Sequence, residues 1–169
     1  KSKLYRPQFG QRYYFNDITM DILVTQEQVP FKDYKRDLNA SSMVCLFTVE
    51  GQKCFFSGDI HEEGLEFIMA NYSQEYLDLD LFTLNHHGFN TSVAFADYIT
   101  VKTLLLTLQE QLPVRKIRKT KYFISKVQET LNWGDGTKVL TFPYEVGSYE
   151  TMPCNKWIYH KDVERILQM

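Results

Sequence analysis

Cysteine, net charge and long apolar runs are all scarce in this sequence. Its 169 residues contain three cysteines, an odd and small number that argues against a disulfide framework. The formal net charge is −2, so global electrostatics give no support to nucleic-acid or membrane binding. No run approaches the roughly 20 apolar residues of a membrane-spanning helix, and no signal peptide is visible. Free cysteines favour a cytoplasmic location.

Internal repeats, low-complexity segments and Gly/Ser linkers are also missing, so we treat residues 1–169 as a single domain. A chain of this length can bury roughly 70% of its unfolded surface. The sequence begins Lys-Ser-Lys rather than Met, which predicts a fragment or a processed product. Any targeting segment would then have been removed.

The stretch from Met43 to Gly88 carries the clearest pattern. A hairpin with Glu50-Gly51 at its tip is predicted over residues 41–56, and Leu81–Leu84 is a second short apolar run. Residues 62–72 between them have helical periodicity. A strand, a helix and a strand predict a parallel pair joined by a right-handed crossover, within an α/β fold with a mixed sheet and flanking helices.

Metal-binding residue types follow both of these strands. Asp59 comes after the first strand, and the pair His86 and His87 comes after the second. Because parallel strands end at the same edge of a sheet, Asp59 and His86 are predicted to be neighbours in space. Carboxylate and imidazole suit Zn²⁺, Mn²⁺ or Fe²⁺, and His61 is a further local nitrogen.

Plain structural roles for these residues stay open at this point. Asp59 can cap a helix, and the two histidines can form a polar strand terminus. His61 precedes two glutamates at a helix start, where a solvated imidazole is the commoner outcome. His87 can orient its neighbour or contact a substrate.

Three short segments together resemble the second half of the metallo-β-lactamase superfamily. They are Asn39-Ala-Ser-Ser-Met-Val-Cys-Leu, Phe55-Phe-Ser-Gly-Asp59 and Leu84-Asn-His-His-Gly88. Their order and spacing are similar to the branch that includes the hydrolase-like domain of bacterial competence DNA-uptake proteins. The resemblance covers about residues 39–100. It implies a metal-dependent hydrolase, with zinc as the first choice of metal and Mn or Fe as alternatives, and, for this chain, the C-terminal half of an αββα sandwich.

The resemblance also implies roles for individual residues. Asp59 would be the bridging carboxylate of a two-metal site, and His86, rather than His87 or His61, the last histidine ligand. A metal-bound hydroxide would attack an ester, amide or phosphodiester. The family's His-x-His-x-Asp-His cluster is absent from this sequence. We therefore expect the chain alone to bind metal weakly or not at all, and to be inactive without its N-terminal half.

Other interpretations remain open. The chain can be a degenerate binding module that keeps the scaffold without the chemistry. The basic stretch from Arg115 to Lys121 can bind nucleic acid or a phosphate-containing substrate, although a solvated helix face is the commoner explanation. A half-sandwich would expose an apolar sheet face, which predicts a homodimer.

The remaining elements are predicted more coarsely. Residues 13–25 are predicted to hold one or two strands around Asn16-Asp17, and residues 26–40 a polar surface loop. A helix capped by Thr91 or Ser92 should precede a strand at 103–108. One long helix is predicted over 113–131, then a strand at 138–142, a strand at 157–159 and a helix from Lys161.

Overall fold

The computed structural model describes residues 4–29, 38–106, 114–132 and 136–152. Within these residues the chain forms a mixed sheet of seven strands, three α-helices, a short 3₁₀ turn at Asn85–Gly88 and a separate two-stranded hairpin. The α/β class with a mixed sheet is therefore confirmed. The strands are β1 (Arg12–Phe15), β2 (Ile18–Val24), β3 (Val44–Val49), β4 (Gln52–Phe56), β5 (Asp78–Thr83), β6 (Thr100–Leu106), β7 (Glu129–Asn132), β8 (Thr137–Leu140) and β9 (Tyr149–Met152), and the helices are α1 (Glu62–Asn71), α2 (Val93–Tyr98) and α3 (Val114–Ile124).

The strands of the main sheet lie in the order of the sequence, from β1 to β7. The first four pair in antiparallel fashion, and β4 to β7 pair in parallel. At the β3–β4 tip, Glu50 and Gly51 have φ values of 51° and 79°, as a two-residue hairpin turn requires. Parallel neighbours need a crossover, and α1, α2 and α3 supply one each. The predicted parallel pair β4 and β5 is thus confirmed.

Helices α1 and α2 begin and end close to where the sequence predicts. In α1, Leu65 and Ile68 are buried on the face toward the sheet. Ser92 caps α2, because its side-chain oxygen accepts a hydrogen bond from the backbone N–H of Phe95.

The core lies on the face of the sheet that carries these helices. Phe55 and Phe82 from adjacent strands are fully buried, with ring centroids 5.3 Å apart. Phe95 of α2 lies 6.0 Å from Phe55 and 5.9 Å from Phe82. Aromatic side chains thus join the two parallel strands to the helical layer.

The opposite face of the sheet, which we call the open face, is apolar and is only partly covered by the described residues. It carries a groove of about 670 Å³ whose lining includes Phe47, Phe56 and Leu81. Leu140 of β8 and Phe142 after it reach this groove. The segment that follows is held by Gln52, whose amide donates to the carbonyl of Tyr144 at 2.7 Å and accepts from its N–H at 2.5 Å.

Two cysteines lie on this open face as free thiols. Cys45 pairs with Phe56 and Cys54 with Phe47, so the cysteines are diagonal neighbours on one face. Burial raises the pKa of the Cys45 thiol to about 11. Burial, with the charge of Asp80 as a second cause, raises the pKa of Cys54 to about 12. Both thiols are therefore held in the unreactive, protonated form.

The prediction of one long helix over 113–131 is wrong at its C-terminal part. The helix α3 ends at Ile124, and residues 129–132 form β7. The backbone N–H of Gln128 donates to the carbonyl of Lys102 at 3.0 Å, which starts the pairing with β6. Val127 and Leu131 are four residues apart, a spacing that fits a helical stripe, but pairing with the exposed edge of β6 decides the outcome.

Some predictions fall on residues that lie outside the described ranges. These are the strand at 157–159, the helix from Lys161 and the greater part of the loop at 26–40. The strand predicted at 138–142 is observed as the shorter β8. Its partner β9 was not predicted.

We expect Phe55→Ala to lower the free energy of unfolding by about 3–5 kcal/mol, because it removes a fully buried ring from the aromatic contact between sheet and helices. The adjacent Phe56 lies on the open face and is 40% exposed, so Phe56→Ala is a matched control and should cost less than half as much. Urea unfolding followed by circular dichroism measures both values. Equal losses would contradict the assignment of the core to one face.

Candidate functional site

The site lies at the edge where β4 and β5 both end. The chain leaves β4 through Ser57, Gly58 and Asp59, and it leaves β5 through Leu84 into the loop Asn85–Gly88. The backbone N–H of His86 donates to the carbonyl of Gly58 at 3.0 Å. The backbone segments that carry Asp59 and His86 therefore lie side by side, whereas the joint role of these two side chains at a metal site stays a prediction.

The imidazole that approaches Asp59 is that of His87. Its Nε2 lies 3.5 Å from Asp59 Oδ1, and the two side chains are 42% and 35% exposed. Two ligands of one tetrahedral ion, each about 2.0–2.2 Å from it, are separated by about 3.4 Å. The pair thus has the spacing of two donors to a shared metal ion.

His86 occupies a different environment, between two asparagine side chains. Its Nδ1 lies 2.7 Å from Asn90 Nδ2, and its Nε2 lies 3.3 Å from Asn39 Nδ2. One ring face stacks on His61, with centroids 5.2 Å apart and planes at 9°. Phe89 lies 5.5 Å away. The ring is therefore held by contacts at its edge and on its face.

His61 is not the solvated side chain that its acidic neighbours suggested. It occupies the N-cap position of α1, and its Nε2 is buried. The stacking on His86 replaces water on one face of the ring. All four candidate residues, Asp59, His61, His86 and His87, therefore lie at one edge of the sheet.

The loop that carries the two histidines has an unusual backbone. His86 and His87 have φ values of 46° and 51°, and Gly88 follows with 82°. Left-handed backbone costs a non-glycine residue roughly 1–2 kcal/mol. Such strain persists only where surrounding contacts enforce it, and it is concentrated at functional sites.

Asn85 supplies much of that enforcement. It is 1% exposed, and its amide donates to the carbonyls of Ile60 at 3.2 Å and Asn90 at 2.8 Å. Thr91 donates through its hydroxyl to the carbonyl of Gly88 at 3.1 Å. The loop is thus anchored at both ends.

Sequence reasoning did not assign roles to the three asparagines. Asn39 and Asn85 lie in two of the quoted motifs but received no role there, and Asn90 carried no signal of its own. Their spacing of five residues around a His-His-Gly sequence is the one feature that could have indicated them, since Asn supports left-handed turns and bonds nearby backbone.

Ser42 joins the Asn39 segment to Asp59. Its hydroxyl accepts from the backbone N–H of Asp59 at 3.1 Å, and its own N–H donates to the carbonyl of Asn39 at 3.0 Å. Gly58 has a φ of 54°, and a Cβ there would lie 3.0 Å from Ser42 Cβ. The absence of a side chain at Gly58 thus allows both the close approach of Ser42 and the sharp exit of the chain from β4.

The basic helix α3 lies beside the loop. Thr120 is buried and its hydroxyl oxygen lies 3.5 Å from that of Thr91. Arg118, Lys119 and Lys121 are exposed, whereas the side chains at 115 and 116 lie outside the described part of the chain. The exposed cations agree with a solvated helix face near the site.

A complete metal centre is not formed by the described residues. Among them, no group of three or more His, Cys, Asp or Glu side chains is arranged to hold a metal ion. Asp59 and His87 fit two positions of a coordination sphere, whereas a catalytic zinc needs three protein ligands and an open position. These residues therefore provide part of a site at most, and no reaction step can be derived from them alone.

Comparison with known proteins gives no family assignment. The chain matches no protein-family model and no curated protein sequence. Across the described ranges, none of the helices has the length and apolar character needed to cross a membrane. The geometry of the site is thus the basis for any functional conclusion.

We expect Gly58→Ala to destabilise the protein more than Gly51→Ala. Both glycines have positive φ, but a Cβ at Gly51 meets nothing within 4 Å, whereas one at Gly58 meets Ser42. Placing a non-glycine residue at positive φ costs roughly 1–2 kcal/mol in both variants. The difference between their losses in free energy of unfolding therefore measures the steric contact with Ser42. Urea unfolding measures it, and the amide NMR signal of Asp59 should move only in Gly58→Ala. Identical behaviour of the two variants would contradict the close approach.

Proposed function

We propose that this chain is part of a metal-dependent hydrolase, the C-terminal half of an αββα sandwich of the metallo-β-lactamase type. The observation that carries the proposal is the 3.5 Å separation of Asp59 Oδ1 and His87 Nε2 at the common end of β4 and β5. The two residues are 28 positions apart in the sequence, and the crossover through α1 brings them together. A carboxylate and an imidazole at this spacing suit one divalent ion, with zinc the first choice.

The distribution of helices supports the half-sandwich. The buried residues of α1 and α2 pack with one face of the sheet, and the apolar groove lies on the other. In a complete sandwich that second face would pack on another sheet, and the missing half would supply the remaining metal ligands. The substrate would be an ester, an amide or a phosphodiester.

The proposed metal site can be tested by adding zinc, with no substrate present. We expect Zn²⁺ added to the purified, chelator-free chain to shift NMR signals of Asp59 and His87 locally, and to saturate only far above the protein concentration. Two donors hold an ion weakly, so the isolated chain should carry much less than one zinc and should not hydrolyse ester, amide or phosphodiester substrates.

Asp59→Asn should abolish these local shifts. Asp78→Asn is the matched control, because Asp78 lies at the start of β5 and so at the opposite edge of the sheet. Absence of a local response in the unmodified chain would contradict the metal-site proposal. Stoichiometric zinc after purification would instead show that the chain holds a complete site.

We propose further that the isolated chain associates with a second copy through the open face. Phe56 on that face is 40% exposed and contributes to an apolar groove, a type of surface that soluble monomers rarely expose. Sedimentation over a range of concentrations should detect dimers, and Phe56→Lys should shift the equilibrium to monomer.

Tyr14→Lys is the control for this surface. Tyr14 is 72% exposed on β1, and it alternates with Phe15, which lines the groove, so it lies on the other side of the strand. Its substitution should leave association unchanged. A monodisperse monomer at every concentration would contradict the proposal.

A further inference from the structure

We propose that Asn90 is a positioning residue that fixes the tautomer of His86, placing the ring proton on Nε2. The two adjacent histidines would then have different roles: His87 offers an imidazole to the ion at Asp59, and His86 presents an N–H donor. The division of roles rests on the proposed function. The tautomer does not, because it follows from contacts within the chain.

The neutral ring of His86 carries a single proton, which only one of its two nitrogens can hold. A neutral imidazole has one N–H and one lone pair, whereas both of its nitrogens here lie near an amide NH₂ group, which only donates. The two contacts therefore cannot both be hydrogen bonds in which an asparagine amide donates to a ring nitrogen of His86. The contact of Asn90 with Nδ1 is 2.7 Å and that of Asn39 with Nε2 is 3.3 Å, so we take the shorter as the hydrogen bond.

The backbone of Asn90 is held in place beside His86. Asn90 lies four residues after His86, and its backbone carbonyl accepts from the buried side-chain amide of Asn85 at 2.8 Å. With Asn90 donating to Nδ1, that nitrogen carries the lone pair and the proton lies on Nε2. Asn39 then forms a good contact when its amide turns to offer oxygen to the Nε2–H.

The consequence for a metal site is direct. A nitrogen that carries a proton cannot bind a metal, and a ligating histidine usually donates its other N–H to an acceptor. In the unmodified chain, the Asn90 amide instead donates to Nδ1 of His86. His86 is therefore disfavoured as a ligand in this state, and His87 Nε2 is the imidazole nitrogen 3.5 Å from the Asp59 carboxylate.

The test measures the tautomer in the metal-free chain. Long-range ¹H–¹⁵N correlations on histidine-labelled protein, at a pH where the rings are neutral, distinguish the protonated from the unprotonated ring nitrogen. His86→Gln assigns the signals. We expect Nε2–H for His86 in the unmodified chain.

Substitutions at Asn90 should change that outcome in opposite ways. Asn90→Asp can only accept, so the major tautomer should become Nδ1–H; Asn90→Leu keeps the size without the polarity, so a mixture should result. Asn71→Asp is the matched control, because Asn71 bonds the Phe67 carbonyl in α1, and it should leave His86 unchanged. Nδ1–H in the unmodified chain, or no change in Asn90→Asp, would overturn the proposal.

A second measurement separates this inference from the proposed function. The tautomer is measured without metal, so it is independent of the zinc titration followed at Asp59 and His87. If the tautomer changes as expected in Asn90→Asp while Zn²⁺ gives no local response at Asp59 and His87, the positioning role of Asn90 stands and the metal-site proposal fails.

Discussion

Parallel pairing of β4 with β5 is the constraint on which the rest of the structure depends. Cys54, Phe55 and Phe56 pair with Leu81, Phe82 and Thr83 in register, so the two strands end at the same level. The residues that follow, at 57–59 and 85–88, must then occupy the same edge. With a different register, the Asp59 carboxylate and the histidine loop would lie at different levels of the sheet and would not form one site.

The site built on this register combines a rigid base with a strained loop. The base is the aromatic contact between Phe55, Phe82 and Phe95, which fixes the strand ends relative to α2. The loop holds two successive left-handed histidines, and buried hydrogen bonds from Asn85 and Thr91 keep it in that conformation. Because of this left-handed backbone, the two consecutive histidine side chains point in different directions. His87 lies 3.5 Å from Asp59, and His86 lies between the side chains of Asn39 and Asn90.

Much of this arrangement could be predicted from the sequence, because hydrophobic periodicity and turn residues determine local structure. The β3–β4 hairpin, α1 and the parallel crossover follow from such patterns. The strand β7 could not be predicted, since Val127 and Leu131 fit a helical stripe equally well and only the unpaired edge of β6 decides between the two. Which of the two histidines approaches Asp59 could not be predicted either. The direction of a side chain in a left-handed turn depends on tertiary hydrogen bonds, and the spacing of residues in the sequence does not reveal these.

The central claim is that the end of β4 and the histidine loop are bonded to each other. A through-hydrogen-bond NMR coupling between the His86 amide nitrogen and the Gly58 carbonyl carbon tests it most directly, since that N–H···O bond is 3.0 Å long. A measurable coupling, of similar size to those along the β4–β5 ladder in the same spectrum, is the result that we expect. Clear ladder couplings with none between His86 and Gly58 would contradict the claim.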